Sequence, residues 1–227
     1  MESSLFLIPC YGHQAELSAI LAALQDQHIL VVDDGTPKPL STDTPCIRHS
    51  KNRGYGAAQK TGFHYALANG FERVVLVHGD HQYCTSALQQ AVQQYPNEEI
   101  LLGSRMLMNA QAMPWWRKSG NRLLTSCVNQ RYRSAYTDLH TGGRIYSRQF
   151  LKRLPYFSFS DDFIFDHQVL LWALQNQVQI KEFPMPSKYD ETVSSISFWR
   201  AVRYGFGCLR GIYFPTNPKL DPRTPRD

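Results

Sequence analysis

Short apolar runs alternate, over roughly the first hundred residues, with longer stretches whose apolar residues recur every three or four positions. Runs of the first kind predict buried strands, and spacing of the second kind predicts helices. The predicted strands are residues 5–8, 29–32, 46–49, 74–77 and 100–105, and the predicted helices are residues 16–24, 57–68 and 86–94. This order predicts an α/β fold, with a doubly wound, mostly parallel sheet flanked by helices.

The second half of the chain predicts more helix than strand. The predicted helices are residues 123–128, 161–174 and 198–214, and the predicted strand is residues 178–183. No composition shift marks a linker, so residues 1–214 are expected to form one domain. The tail, residues 215–227, is rich in proline and is expected to be flexible.

The composition excludes several classes of protein. With 227 residues and 43% hydrophobic content, the chain can bury one sizeable core. It has no apolar run near the ~20 residues that span a bilayer, and no signal-peptide pattern. Its five cysteines are scattered, without a CxxC pair, which predicts reduced thiols in the cytoplasm and neither disulfides nor a structural zinc site.

The positive charge of the chain is concentrated in one segment. The net charge is +5, and residues 117–153 hold nine lysines and arginines against one acid, Asp138. A basic face favours phosphate-bearing ligands, nucleic acid or an anionic membrane. Trp115 and Trp116 adjoin this segment and favour a phosphate attached to an apolar group. The alternative is a basic surface without a dedicated ligand.

Two predicted strands end in acidic turns. Asp33 and Asp34 follow one strand, and His78 and Asp80 follow another. Ligands of open α/β sheets gather at the carboxyl ends of the strands, where carboxylates can hold a nucleobase, a ribose or a divalent cation. His78 offers a nitrogen ligand, which manganese tolerates better than magnesium. The alternative for Asp33 and Asp34 is an ordinary tight turn.

Two further motifs each have a functional and a structural interpretation. The turn at residues 52–56 is similar to a phosphate-binding turn before a helix, although a plain turn is the favoured interpretation. Asp161 and Asp162 stand before an aromatic run, where one of them can act as a general base or orient an acceptor. The alternative is that they cap the following helix.

In their order and spacing, these motifs resemble the family 2 glycosyltransferases of the GT-A fold. Within that family the chain is most similar to polyprenyl-phosphate sugar transferases such as dolichyl-phosphate mannosyltransferase. The similarity extends over nearly the whole chain to about residue 214. The matching segments are residues 8–11, 32–35, 52–56, 78–83, 103–105, 120–122, 137–142, 161–163 and 194–197.

The resemblance implies an inverting transfer of a sugar from a UDP- or GDP-linked donor to a polyprenyl phosphate or a glycan, assisted by Mn²⁺ or Mg²⁺. The implied donor-binding residues are Pro9, Tyr11, Asp33, Asp34, Asn52, Gly56, Asp80 and Arg105. The implied metal ligands are Asp80, Gln82 and His78. The implied acceptor or diphosphate residues are Arg117, Arg122, Arg131 and Arg144, and the implied catalytic carboxylates are Asp162 and Asp161.

The chain departs from the family pattern in three places. His78 replaces the first acid of the metal-binding motif, Gly12-His13 replaces Asn-Glu, and His167-Gln168 stands where an acid is expected. These departures leave open a second function, that of a non-catalytic module binding a nucleotide-sugar or a lipid phosphate.

Membrane contact is predicted at one helix only. Residues 198–214 are basic and aromatic, as in helices that lie on an anionic membrane. The alternative is that this helix packs against the domain. The expected location is therefore cytoplasmic, with peripheral contact at the inner face of the membrane, and nucleic acid is not an expected partner.

Overall fold

The computed structural model describes residues 3–80, 83–108, 113–187, 198–215, 218 and 221–225. The strands are β1 (Ser4–Cys10), β2 (His28–Asp33), β3 (Cys46–Arg48), β4 (Arg73–Leu76), β5 (Ile100–Ser104), β6 (Arg144–Ser147) and β7 (Ile180–Pro184). The helices are α1 (Gln14–Ala23), α2 (Tyr55–Ala68), α3 (Thr85–Gln94), α4 (Trp115–Tyr132), α5 (Arg148–Arg153), α6 (Phe165–Gln175) and α7 (Phe198–Tyr213).

The strands form one sheet in the order β3-β2-β1-β4-β6-β5-β7. All are parallel except β6, which runs antiparallel to both β4 and β5. The chain builds outward from β1 to β3 and then continues with β4 on the other side of β1. This topological switch between β1 and β4 opens a crevice at the carboxyl ends of the strands, where α/β proteins bind ligands. The predicted doubly wound, mostly parallel fold is confirmed.

The core lies on both faces of the sheet. In β1, Leu5 and Leu7 pack on one side with α2, while Phe6 and Ile8 pack on the other side with Leu17 of α1. All five side chains are at most 1% exposed. A strand buried on both faces has no polar alternation, which explains its continuous apolar sequence.

Two elements of the basic segment were not predicted, β6 and α5. β6 has four residues, and its buried Ile145 and Tyr146 face opposite sides of the sheet. An apolar pattern of two residues is too short to stand out from its surroundings. The helix predicted to contain residues 123–128 is found as α4, which extends beyond them at both ends.

The C-terminal part of the chain packs against the domain. α7 contacts α4 and α6, and its Cys208 and Ile212 are completely buried. In the turn at residues 221–225, Thr224 is buried and the Arg223 guanidinium lies 4.5 Å from the centre of the Phe157 ring. The expected flexible tail is therefore not found at residues 221–225. Among the described helices, none is long and apolar enough to cross a membrane.

Candidate active site

The ends of β1, β2 and β4 meet at the crevice. Cys10 pairs with Asp33 across β1 and β2, and Pro9 lies one residue earlier in the same ladder. Gly79, just beyond β4, lies so close to β1 that an added Cβ would be 3.0 Å from the carbonyl oxygen of Pro9. The strand-end turns predicted from the sequence therefore share one site, and Tyr11 is exposed at its rim.

Asp33 is a buried carboxylate with its charge compensated. Its Oδ1 accepts a hydrogen bond from the Thr36 amide at 2.9 Å, and its Oδ2 pairs with the Arg48 guanidinium. Burial acts to raise the pKa of Asp33, but the hydrogen bonds from Thr36 and the charge of Arg48 outweigh it and lower the pKa. Asp33 therefore stays ionised and keeps free lone pairs on its two oxygens.

Asp34 organises the neighbouring turn. Its carboxylate accepts hydrogen bonds from the amides of Arg53 at 3.0 Å and Gly54 at 2.8 Å, and it lies 2.6 Å from Nδ1 of His49. The side chain is buried. Asn52 adjoins this turn and is exposed. Of these two predicted donor-binding residues, Asn52 is thus the accessible one, while Asp34 holds the turn in place.

The turn before α2 is closed by protein. Gly54 has a φ of +107°, and an added Cβ would overlap the carbonyl oxygen of Asp161. A Cβ on Gly56 would lie 2.6 Å from the carbonyl oxygen of Ser160. The Ala57 amide donates a hydrogen bond to the backbone carbonyl oxygen of Asp161, at 3.1 Å. The backbone of residues 160–161 thus occupies the space that a phosphate would need. The plain-turn interpretation fits this geometry, and Gly56 serves close packing.

His78 is held at the crevice by aromatic neighbours. Its Nε2 lies 2.7 Å from the Tyr55 hydroxyl oxygen, and the Tyr55 ring stacks on Phe163 with centroids 5.4 Å apart. A Cβ on Gly142 would overlap the His78 ring, so only glycine fits there. Burial lowers the pKa of His78, although the charge of Asp80 opposes this. Near neutral pH the imidazole is therefore uncharged.

Asp80 lies two residues past His78 and is half-buried. Its charge acts on the His78 imidazole, which places a carboxylate and a neutral imidazole together at the switch point. Such a pair suits a divalent cation of the manganese type. The His78 Nε2 is already engaged by Tyr55, so Asp80 is the stronger metal-ligand candidate. The predicted ligand Gln82 lies outside the described residues.

Two of the predicted ligand-binding arginines are internal. Arg105 forms a bidentate ion pair with Asp138, with N–O distances of 2.7 Å and 2.9 Å. Arg144 lies beside Asp166 and is 1% exposed. The Arg144 guanidinium also donates to the carbonyl oxygens of Thr141 and Asp166. The predicted contact of Arg144 with an acceptor phosphate does not fit this position, since protein groups occupy its donors. Arg105 and Arg144 instead anchor the loop before β6.

The arginines of α4 divide between two faces. Arg122 and Arg131 are exposed on the outer face. Arg117 lies partly buried with its guanidinium 5.1 Å from the centre of the Trp116 ring. Its Nη2 is buried and has no hydrogen-bond partner among the residues that the structure describes. A buried guanidinium nitrogen without an acceptor is costly, so this atom fits an anionic ligand.

The side chains of Asp161 and Asp162 have different partners. Asp161 pairs with Lys60 at 2.7 Å and lines a groove of about 840 Å³ along α2. Asp162 is exposed and accepts a hydrogen bond from the amide of Phe163, the residue that stacks on Tyr55. The residue before α6 is Ile164, so the capping interpretation is not supported for either side chain. Of the two, Asp162 lies beside the aromatic neighbours of His78.

Several residues of the site were missed in the sequence. Arg48 is the last residue of β3 and pairs with Asp33, and His49 follows it and pairs with Asp34. Their position at the carboxyl end of a short strand is the signal that could have identified Arg48 and His49. Tyr55 and Gly142 carry no such signal, because their roles depend on contacts between distant segments.

Comparison with known proteins identifies the family. Residues 6–154 match the model of glycosyl transferase family 2. The chain belongs to glycosyl transferase family 2. This glycosyltransferase is 26% identical to polyprenol monophosphomannose synthase of Mycolicibacterium smegmatis, over 81% of this chain and 77% of the relative. It is 25% identical to UDP-N-acetylglucosamine–dolichyl-phosphate N-acetylglucosaminyltransferase of Methanococcus voltae, over 82% and 85%.

Solved structures support the fold of this family 2 glycosyltransferase. Glucosyl-3-phosphoglycerate synthase from Mycobacterium tuberculosis, in complex with Mn²⁺, UDP-glucose and phosphoglyceric acid, superposes with a TM-score of 0.67. The two proteins are 10% identical, and the alignment covers 95% of this chain and 81% of that one. The predicted GT-A fold and the predicted likeness to polyprenyl-phosphate sugar transferases are confirmed.

Proposed function

We propose that this enzyme transfers a sugar from a UDP- or GDP-linked donor to a polyprenyl phosphate, with inversion at the anomeric carbon and with help from Mn²⁺ or Mg²⁺. The observation that carries the proposal is the closeness of the strand ends that bear Asp33 and Asp80, since Asp33 pairs with Cys10 and Gly79 lies against Pro9. Arg117, whose buried Nη2 has no hydrogen-bond partner among the described residues, is the side chain that binds the phosphate. The names of the two relatives motivate the choice of a lipid phosphate over a glycan.

The donor base binds beside Tyr11 and Asp33. Tyr11 is 46% exposed and offers a ring face for stacking. Asp33 remains ionised, so its free lone pairs can accept from an N–H of uracil or guanine. Both bases present such a donor, so the choice between UDP and GDP rests on contacts beyond these two residues.

A divalent cation fits at Asp80. The carboxylate stands at the switch point next to the neutral His78, and Gln82 follows in the sequence. When bound, the cation compensates the charge that develops on the leaving diphosphate. Asp80 holds the ion, and His78 orients Tyr55 through their hydrogen bond.

The acceptor supplies its own nucleophile. A phosphate oxygen attacks the anomeric carbon from the face opposite the leaving group, and the bond from that carbon to the diphosphate oxygen breaks. The electron pair of that bond leaves with the nucleoside diphosphate. Because a phosphate is already ionised near neutral pH, no strong base is needed, and Asp162 positions the acceptor.

The function is tested by following nucleoside diphosphate release from UDP- and GDP-sugars, with and without polyprenyl phosphate and Mn²⁺. Release should require both the lipid phosphate and the ion. Donor binding without turnover on any lipid phosphate would instead support a binding module.

Replacing Tyr11 with Ala should weaken donor binding by about tenfold, because stacking of a base on an aromatic ring contributes ~1–3 kcal/mol. Isothermal titration with the donor nucleotide measures the effect. Tyr213→Ala is the control, because Tyr213 is 53% exposed on α7. Equal affinity of Tyr11→Ala and the unaltered enzyme would exclude Tyr11 from the base site.

The outer face of α7 is proposed to contact an anionic membrane. Arg203 and Arg210 are exposed on this helix, and Phe206 and Phe214 are 70% and 75% exposed. Each basic residue near such a surface contributes ~1 kcal/mol, so Arg203→Ser/Arg210→Ser should reduce vesicle binding by about tenfold or more. Co-sedimentation with phosphatidylglycerol vesicles measures this. The control Lys38→Ser/Lys181→Ser removes two positive charges outside α7, and its vesicle binding should match that of the unaltered enzyme. An equal loss of vesicle binding in the two double variants would exclude a specific contact through α7.

A further inference from the structure

Three potential metal ligands to which the proposed reaction gives no role lie close together. His140 lies in the loop before β6, His167 in α6 and Cys208 in α7. One donor atom of each lies within 4.8 Å of the others. His167 and Cys208 are at most 1% exposed. These residues are far apart in the sequence, so no motif spacing indicated a site.

Each imidazole of this cluster has a buried nitrogen without a hydrogen-bond partner among the described residues. Nε2 of His140 and Nδ1 of His167 have no hydrogen bond within the part of the chain that the structure describes. The opposite nitrogens are engaged, at 3.0 Å from the Tyr204 hydroxyl oxygen and at 3.2 Å from the carbonyl oxygen of Cys208. Imidazoles that bind a metal commonly have their second nitrogen held in this way.

The tautomer of His167 follows from its partner. A carbonyl oxygen only accepts hydrogen bonds, so Nε2 of His167 must carry the proton. In the neutral ring, Nδ1 is then a bare lone pair, which is the form that binds a metal. Burial lowers the pKa of His167 to about 4 and that of His140 well below its ordinary value, so both rings are neutral near pH 7.

The spacing of the two imidazole rings agrees with a shared ion. The centres of the His140 and His167 rings are 5.5 Å apart. Two imidazoles bound to one tetrahedral ion at 2.0–2.1 Å have centres about 5 Å apart. The ring planes are only 17° from parallel, so a shared ion would require at least one ring to rotate about its side-chain torsions until both nitrogen lone pairs face the metal.

The local charge tolerates a cation. Arg144 and Arg105 are near enough to act on His140, but Asp166 and Asp138 pair with them. Burial raises the pKa of the Cys208 thiol to about 12, so the metal-free thiol keeps its proton. A bound metal would displace that proton and compensate the thiolate.

We propose that His140, His167 and Cys208 bind Zn²⁺ and thereby fasten α7 to α6 and to the loop before β6. A thiolate with two imidazoles suits zinc, whereas the oxygen-rich ligands at Asp80 suit manganese or magnesium. The three protein ligands leave one position for water. The prediction of no structural zinc rested on the absence of paired cysteines, which does not cover a site assembled from three separate elements.

The test is zinc content of the full chain, prepared without a histidine tag and passed through a weak chelator after zinc loading. About one zinc per chain is expected by mass spectrometry of the metal. Cys208→Ser and His167→Gln should each lower retained zinc at least about tenfold. Cys127→Ser, which removes a partly buried thiol elsewhere, should retain it.

Cobalt substitution of the unaltered chain gives a second readout that needs no variant. Co²⁺ should produce a near-ultraviolet thiolate-to-metal band, which Asp80→Ala retains and Cys208→Ser loses. Failure of the unaltered chain to retain zinc and to show this band would overturn the proposal. Survival of either signal in Cys208→Ser would overturn it as well.

Discussion

Asp80→Asn is expected to lower kcat/KM for sugar transfer by about 10³-fold, because it weakens the proposed hold on the cation that compensates the leaving diphosphate. Asparagine keeps the size of the side chain, and the half-buried site gives no reason for unfolding. The loss should therefore appear in the chemical step and in metal-dependent donor binding, with little change in thermal stability.

The measurement is steady-state kinetics over a range of Mn²⁺ concentrations, together with titration of the donor. Asp26→Asn is the matched control. Asp26 is exposed and lies just before β2, at the amino end of that strand and so at the end opposite to the site. Metal-dependent donor binding that survives in Asp80→Asn would show that the cation is held elsewhere.

Arg144→Met is expected to destabilise the fold by about 3–5 kcal/mol, because it leaves the buried Asp166 without its positive partner. Asp166 is 7% exposed, and its carboxylate also accepts a hydrogen bond from the Gln59 side-chain amide, at 2.7 Å. Arg144 also donates to carbonyl oxygens of the loop before β6, which would lose those hydrogen bonds.

Denaturant unfolding measures this effect. The double variant Arg144→Met/Asp166→Leu removes both charges and should recover a large part of the lost stability. Arg122→Met, on the exposed face of α4, should change stability little. If Arg144→Met leaves the free energy of unfolding unchanged and raises only the KM for the lipid phosphate, Arg144 belongs to the acceptor site and this prediction is wrong.

The fold was largely predictable, because most of its strands are buried on both faces. Val74 to Val77 stands out as an apolar run in any reading of the sequence, and β4 occupies most of it. β6 was not predictable in this way, because its pairing with β4 and β5 is long-range and its first residue is an arginine. The sheet position of so short a strand depends on partners that local patterns do not record.

The sequence predicted the location of the site better than the role of each residue in it. The ends of parallel strands indicated Asp33, Asp34 and Asp80, since topology brings such ends together. The sequence did not distinguish Asp34, which holds a turn, from Asp33, which keeps free acceptor capacity. Nor did it distinguish Arg144 from the exposed arginines, because burial depends on an acid in α6.

In the proposed function, sugar passes directly to a lipid phosphate in one inverting step. Its most direct test is to supply a radiolabelled UDP- or GDP-sugar with polyprenyl phosphate and Mn²⁺, extract the lipid, and determine the anomeric configuration of the product. We expect label in the lipid fraction, in a product whose anomeric configuration is opposite to that of the donor. Label that stays with the nucleotide, or a product that retains the donor's configuration, would contradict it.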